Sequence, residues 1–350
     1  MKTWLLITLL LSIQSLSLNG STNTLKPEPS YREDQIHFKI GVDYLFWQVH
    51  QDGLLIASDN FYVDPHPDLS RGHAYGANFP FTSGFRAYLA MRLPTPESID
   101  TTAIFSWLSP ASRRHACTSN DTGIYTFPLF SVKPTEIMPN KEIFVIDHYS
   151  LFQNKYYLLD FEVGRQTQFA PLFILRPFLG LRATWQQQIW YSDEFLFTLT
   201  PLTSDYIYDF IQTLSGVGVK SGLNGKIYFS KTLPILKNSA LVFKSALSGV
   251  YTQTTVTTVL SAVTKDSNLT YYSSKAKLNP IVPVVDLSIG LEYATVLEKP
   301  ILGLQEIYAE ALWETQNWIG INKMLSTNTV FNTPSSMTVQ GLTIGLGVVF

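Results

Sequence analysis

The residues able to carry acid–base or metal chemistry are few and scattered. There are six histidines: His37, His50, His66, His73, His115 and His148. Nucleophilic or proteolytic chemistry needs a base such as His held near Ser or Asp. None of the six sits in a Gly-x-Ser-x-Gly or similar nucleophile context. Asp64-Pro65-His66-Pro67-Asp68 offers potential metal ligands, but its two prolines read more simply as a rigid extended loop. His50 close to Asp52 is an equally weak pair. The single cysteine, Cys117, excludes an intramolecular disulfide framework and every multi-cysteine zinc site. The sequence thus nominates no catalytic, metal or cofactor-binding residue, and an enzyme is its least favoured reading.

A different set of polar residues is ordered. Lys39, Asp43, Arg86, Arg92, Asp160, Glu162, Arg176, Arg182, Lys220, Lys226, Asp286 and Glu292 each lie on one parity of a segment whose other parity is apolar. In Gln35 to Gln48, Ile36, Phe38, Ile40, Val42, Tyr44 and Phe46 alternate with His37, Lys39, Gly41 and Asp43. Phe85, Ala87, Leu89, Met91 and Leu93 alternate with Arg86, Tyr88, Ala90 and Arg92. The same period of two recurs over residues 157–164, 173–185 and 285–294, and with more Gly and Ser over 216–230 and 240–253. Such runs are strands, and they match the roughly 9 to 11 residues of a tilted membrane-spanning strand. A soluble sandwich would turn Lys, Glu and Asn outward to water. Here the face opposite the apolar rows is Gly, Ser and Thr with isolated charges, which suits a confined polar lumen.

Composition agrees with a wall that faces lipid. Of 350 residues only 15% are charged, against roughly 25% in soluble domains, while 13% are aromatic. Mean hydropathy is +0.09. That much apolar surface excludes a disordered chain. With 25 Lys+Arg against 27 Asp+Glu and no basic run, nucleic acid is excluded as a partner. Lys2, the apolar run from Trp4 to Ile13 and the small residues after it read as a secretory signal over residues 1–20. The rest, 21–350, reads as a single barrel domain.

The expected fold is therefore all-β: a transmembrane antiparallel β-barrel of roughly 12 to 16 strands with long extracellular loops. Residues 59–83, 110–150, 201–213 and 254–277 read as long connections, with room for two further strands inside 110–150. Phe46-Trp47, Trp107, Tyr156-Tyr157, Trp185, Trp190-Tyr191, Trp313 and Trp318 fall near predicted strand ends and read as aromatic girdles at the headgroup level. At the carboxyl end Leu342, Ile344, Leu346, Val348 and Phe350 form an apolar row against Gly341, Thr343, Gly345 and Gly347. An alternating strand ending in Phe looks like the signal read by the bacterial barrel-assembly machinery, whose own sheet such an edge can extend.

Several stretches resemble the pore-forming outer-membrane proteins of the Legionella type, which are similar to the chlamydial major outer membrane protein (MOMP) and expanded in chlamydia-like bacteria. They are Gly41 to Ala57 (GVDYLFWQVHQDGLLIA), Leu158 to Gln187 (LLDFEVGRQTQFAPLFILRPFLGLRATWQQ), Gly216 to Phe229 (GVGVKSGLNGKIYF), Asn279 to Tyr293 (NPIVPVVDLSIGLEY) and the Phe350 terminus. The resemblance implies an outer-membrane porin for small hydrophilic solutes or ions, with adhesive loops. It carries over no catalytic residue. One departure is plain: the chlamydial proteins are rich in cysteine, and this chain has Cys117 alone.

On this reading the twelve charges line a water-filled lumen narrowed by a folded-in loop. Charges facing lipid at mid-depth would cost roughly 2–4 kcal/mol for Arg or Lys, so they point inward. The plainer alternative is that they pair across strands and fill the wall. The partners expected are outer-membrane lipid, the assembly machinery, small solutes, two further copies in a homotrimer, and a host-cell surface through the loops. A structural or adhesive surface protein with little conductance remains the alternative function.

Overall fold

The computed structural model describes residues 36–52, 55–58, 74–76, 78–94, 99–117, 127–128, 143–170, 172–198, 204–229, 238–264, 267–301, 303–323 and 335–350. The expected signal at 1–20 lies outside them, as do Asp64 to Asp68. Among the described residues the fold is an antiparallel meander of ten long strands that closes on itself. They are β1 (His37–Gln51), β2 (Thr82–Arg92), β3 (Ile99–Leu108, continued in the same register by Ala111–Cys117) and β4 (Ile143–Arg165, continued by Thr167–Ala170). Then follow β5 (Phe173–Thr198), β6 (Ser204–Tyr228), β7 (Ser239–Thr264), β8 (Ser267–Leu278 and Ile281–Ile301), β9 (Leu304–Asn322) and β10 (Ser335–Val349). Each strand pairs with the next in sequence. β10 pairs with β1 from Lys39↔Val349 to Gln51↔Met337 and completes the ring. Phe350 extends that seam, exchanging both backbone hydrogen bonds with Phe38. A small separate sheet joins Leu55–Ser58, Ala74–Gly76 and Phe127–Pro128.

The barrel bears out the fold class, but its ten strands correct the expected 12 to 16. The chain is used up in length instead. β5 and β7 run 26 residues and β6 runs 25. At about 3.3 Å per residue and a tilt near 45°, a 26-residue strand rises roughly 60 Å, more than twice an apolar belt of about 25 Å. Residues 204–213 and most of 254–277, expected as loops, are strand. Residues 111–117 and 143–150 are likewise strand, as the reading of 110–150 allowed.

The extra height makes two storeys with inverted polarity. In the lower storey Val42, Leu179, Leu181, Val217 and Leu346 face outward, 60–62% exposed, while Arg and Asp face in. In the upper storey the outward row of β7 continues as Gln253, Thr255 and Thr257, and the inward row carries Val250 and Val256, both buried. β6 does the same, with Phe210 and Leu214 turned inward. The hydrophobic core therefore sits inside the upper barrel. The strand ends at Leu93 and Ile99, Ala170 and Leu172, and Ile301 and Gly303 share the lower end with Phe350, and such closely spaced ends mark the periplasmic end of these barrels.

Candidate functional site: the barrel lumen

The lower lumen is built from charges that the strand pleat turns inward. Arg182 on β5 is the most enclosed. Its guanidinium holds Asp160 of neighbouring β4 with two bonds of 2.8 Å, and Asp286 of β8, three strands away, at 2.6 and 3.2 Å. Lys220 on β6 donates to the same Asp160 (2.6 Å) and to Glu162 (2.7 Å). Arg176 bridges Glu162 (Nη1 to Oε2, 3.0 Å) and Asp100 of β3 (Nε to Oδ1, 2.7 Å). Arg86 on β2 reaches over the seam to Glu314 of β9 in a two-pronged contact at 2.8 and 2.9 Å, with Asp43 at 3.4 Å. Planar forks suit such bidentate pairs, so Arg occupies the bridging positions.

Nearer the lower rim the pairs are lysines. Lys226 contacts both oxygens of Glu292 at 2.5 and 2.7 Å, and Lys244 lies 3.4 Å from both oxygens of Glu310. Lys39 Nζ sits 3.7 Å above the Tyr308 ring, and the Tyr308 hydroxyl is hydrogen-bonded to that of Tyr88. These groups surround a cavity of about 700 Å³. Its lining runs from Leu172, Phe229 and Asn238 at the rim up to Leu158 and Gln316.

Above that level side chains meet across the lumen. Tyr156 of β4 donates to Gln316 of β9 at 2.7 Å, and these two strands are diametrically opposite in a ring of ten. The Tyr156 ring meets Trp318 edge-on at 5.9 Å. Trp190 stacks between Phe152 and Phe210, each 4.9 Å away on a flanking strand. Phe79, from the segment leading into β2, completes the row against Phe152 at 6.2 Å. Gln48 donates to the Phe79 carbonyl and Ser112 to that of Asn78, pinning the segment in the mouth. Gln51 and Gln188 join across the lumen at 3.1 Å. Trp47, Trp190 and Trp318 are fully buried.

Residues 32–350 match the family described as Legionella pneumophila major outer membrane protein precursor. The chain belongs to that family. Its members are outer-membrane proteins, and the bacterial outer membrane is where this barrel resides. Similar solved structures include the outer membrane protease OmpT from Escherichia coli (10% identity, 92% of this chain and 99% of that chain, TM-score 0.44). A major outer membrane protein from Thermus thermophilus is 10% identical over 90% of this chain and 100% of that one, with a TM-score of 0.36. A FadL homologue from Pseudomonas aeruginosa is 9% identical over 91% and 90%, with a TM-score of 0.23. No curated protein matches the chain.

In this barrel all twelve nominated charges border the internal cavity. Pairing with partners up to 228 residues away gathers most of them into clusters. Asp100, Lys244, Glu310 and Glu314 belong to the same clusters and were missed. Glu306, Glu310 and Glu314 recur every four residues, a spacing that fits a helix face as well as a strand face, which blurred the period of two. Leu342, Ile344, Leu346, Val348 and Phe350 face away from the lumen on the closing strand.

The expected aromatic girdle divides. Phe46, Tyr157, Trp185 and Trp313 face out, but Trp47, Tyr156, Trp190 and Trp318 enter the plug, because adjacent aromatics on a strand point to opposite faces. Within the expected water-filled lumen, side chains of the described residues meet from opposite walls at mid-height. Barrels of about eight strands are just wide enough for side chains to fill, and aqueous channels come at about 16 to 18. Ten strands belong near the filled end. His50 and Asp52 stand 3.6 Å apart but are 74% and 66% exposed. No group of three or more metal-binding side chains converges among the described residues.

Proposed function

We propose that this protein is a closed surface barrel: it anchors in the outer membrane through its apolar belt, presents its upper loops to the exterior, including a host-cell surface, and conducts little at rest. One observation carries the reading, the Tyr156–Gln316 bond that spans the diameter among three fully buried tryptophans. A passage that discriminates solutes by size needs free width, and here the opposing walls touch. Insertion is proposed to start from the β10 edge, whose outward row ends in Phe350.

The test is swelling of proteoliposomes in an isotonic pentose. The closed barrel predicts a rate equal to that of protein-free vesicles, and porin-like swelling contradicts it. A second reading, diffusion of small hydrophilic solutes or ions, is favoured by the charged cavity beneath the plug. It requires the plug to leave its place, and pentose swelling by the unaltered protein is the result that supports it.

A further inference from the structure

The outer wall above the apolar belt carries charges that find no partner within the chain. Asp209 on β6 and Lys275 and Lys277 on β8 lie on the outward face of their strands. Both lysines are exposed and Asp209 is half-buried. Among the described residues none of the three takes part in an ion pair or a side-chain hydrogen bond. Between them β7 presents Thr255, Thr257 and Val259, a flat β-branched strip, and Tyr191 of β5 stands opposite Asp209. The register fixes their heights. The row of paired residues that leaves β7 at Ser239 toward β8 passes round the ring and returns to β7 at Tyr251, twelve residues further up. With strands about 4.8 Å apart and leaning near 45°, each step from β6 toward β8 therefore climbs about 3.4 Å. Asp209 leads through Val259 to Ser273, about 7 Å higher, and Lys275 lies two residues back down β8, about 5 Å lower. Asp209 and Lys275 thus stand within about 2 Å of one height, and the same steps bring Tyr191 level with Lys277.

We propose that this wall is a dimer interface, at which a second copy of the chain docks about a twofold axis that runs along the membrane normal through β7. Such an axis lays β6 of one copy against β8 of the other without changing height. Asp209 then meets the partner's Lys275, and the reciprocal pair forms on the other side of the axis. Tyr191 comes to face the partner's Lys277, whose ammonium a ring face attracts. A twofold interface must be self-complementary, and here acid and base lie two strands apart on one side of the barrel. A threefold ring joins two different faces and would need them on separate sides, so their placement selects two copies rather than the three expected. The β-branched strip at the axis lets the two sheets approach closely. Both barrels stand upright in one bilayer, which removes part of the orientational cost of association.

Sedimentation of the purified full chain in density-matched detergent micelles counts the copies. The unaltered protein sediments as a dimer. Asp209→Lys and Lys275→Asp each set like charges against one another and weaken the dimer about ten-fold or more, whereas the double exchange Asp209→Lys/Lys275→Asp restores it. In a Cys117→Ser background in lipid vesicles, Thr257→Cys beside the axis couples to its own copy through a short bismaleimide. Lys155→Cys, exposed on the outer face of β4, does not. Unboiled electrophoretic mobility confirms that each variant is folded. A monomeric or trimeric parent, a dimer left intact by the single reversals, a double exchange that stays monomeric, or coupling at Lys155→Cys equal to that at Thr257→Cys overturns the proposal. None of these results depends on whether the lumen conducts.

Discussion

Arg182 shows what a single residue does inside this barrel. It is fully buried, and its guanidinium satisfies two carboxylates at once. Removing one partner of a buried ionic cluster leaves the others uncompensated, typically at a cost of about 3–5 kcal/mol. Arg182→Met is therefore expected to destabilise the folded barrel by about that amount, measured by urea unfolding in phospholipid vesicles. Adding Asp160→Asn should recover part of the loss, because the two changes act on one network. A loss under about 1 kcal/mol from Arg182→Met alone would mean that solvent reaches the cluster freely. Alternation was enough to turn these charges inward. Their partners were not legible, because Arg182 and Asp286 lie 104 residues apart and meet only once the ring closes.

Strands carry the second level of information, in the inversion of polarity halfway up. Below it the outward rows are apolar and alternation is sharp, so β1, β5 and β10 were readable from sequence. Above it Thr254 to Lys277 has Thr and Ser on both parities, which hid the upper parts of β7 and β8 inside an apparent loop. Substitutions on the outer surface should report the boundary. Leu346→Arg, within the belt, is expected to cost about 2–4 kcal/mol, and Thr255→Arg, above it, at most about 1 kcal/mol, both by unfolding in vesicles. Equal costs at the two positions would contradict the inversion. β10 has an inner requirement as well. A Cβ on Gly341 would collide with the backbone oxygen of Phe46 on β1, so Gly341→Val should disrupt the seam. The expected readout is loss of the faster-migrating unboiled band, and an unchanged band contradicts close packing at closure.

At the scale of the molecule, strand number decides what the lumen is. About 25 residues per strand with its connection gives roughly 12 to 16 strands, and the Gly, Ser and Thr rows suggest water inside. The observed strands are themselves that long, the ring is correspondingly narrow, and inward side chains meet in its middle. Counting each connection apart from its strand produced the excess strands. The plug was hard to foresee for a related reason: Trp47, Tyr156, Trp190 and Trp318 look like membrane-interface residues until strand pleat and height above the belt are known. The most direct measurement is single-channel recording of the unaltered protein in planar bilayers, beside a Tyr156→Ala/Trp318→Ala double variant. The closed lumen predicts a silent parent and stepwise conductance in the variant; steady open steps from the parent, unchanged by the two substitutions, would contradict it.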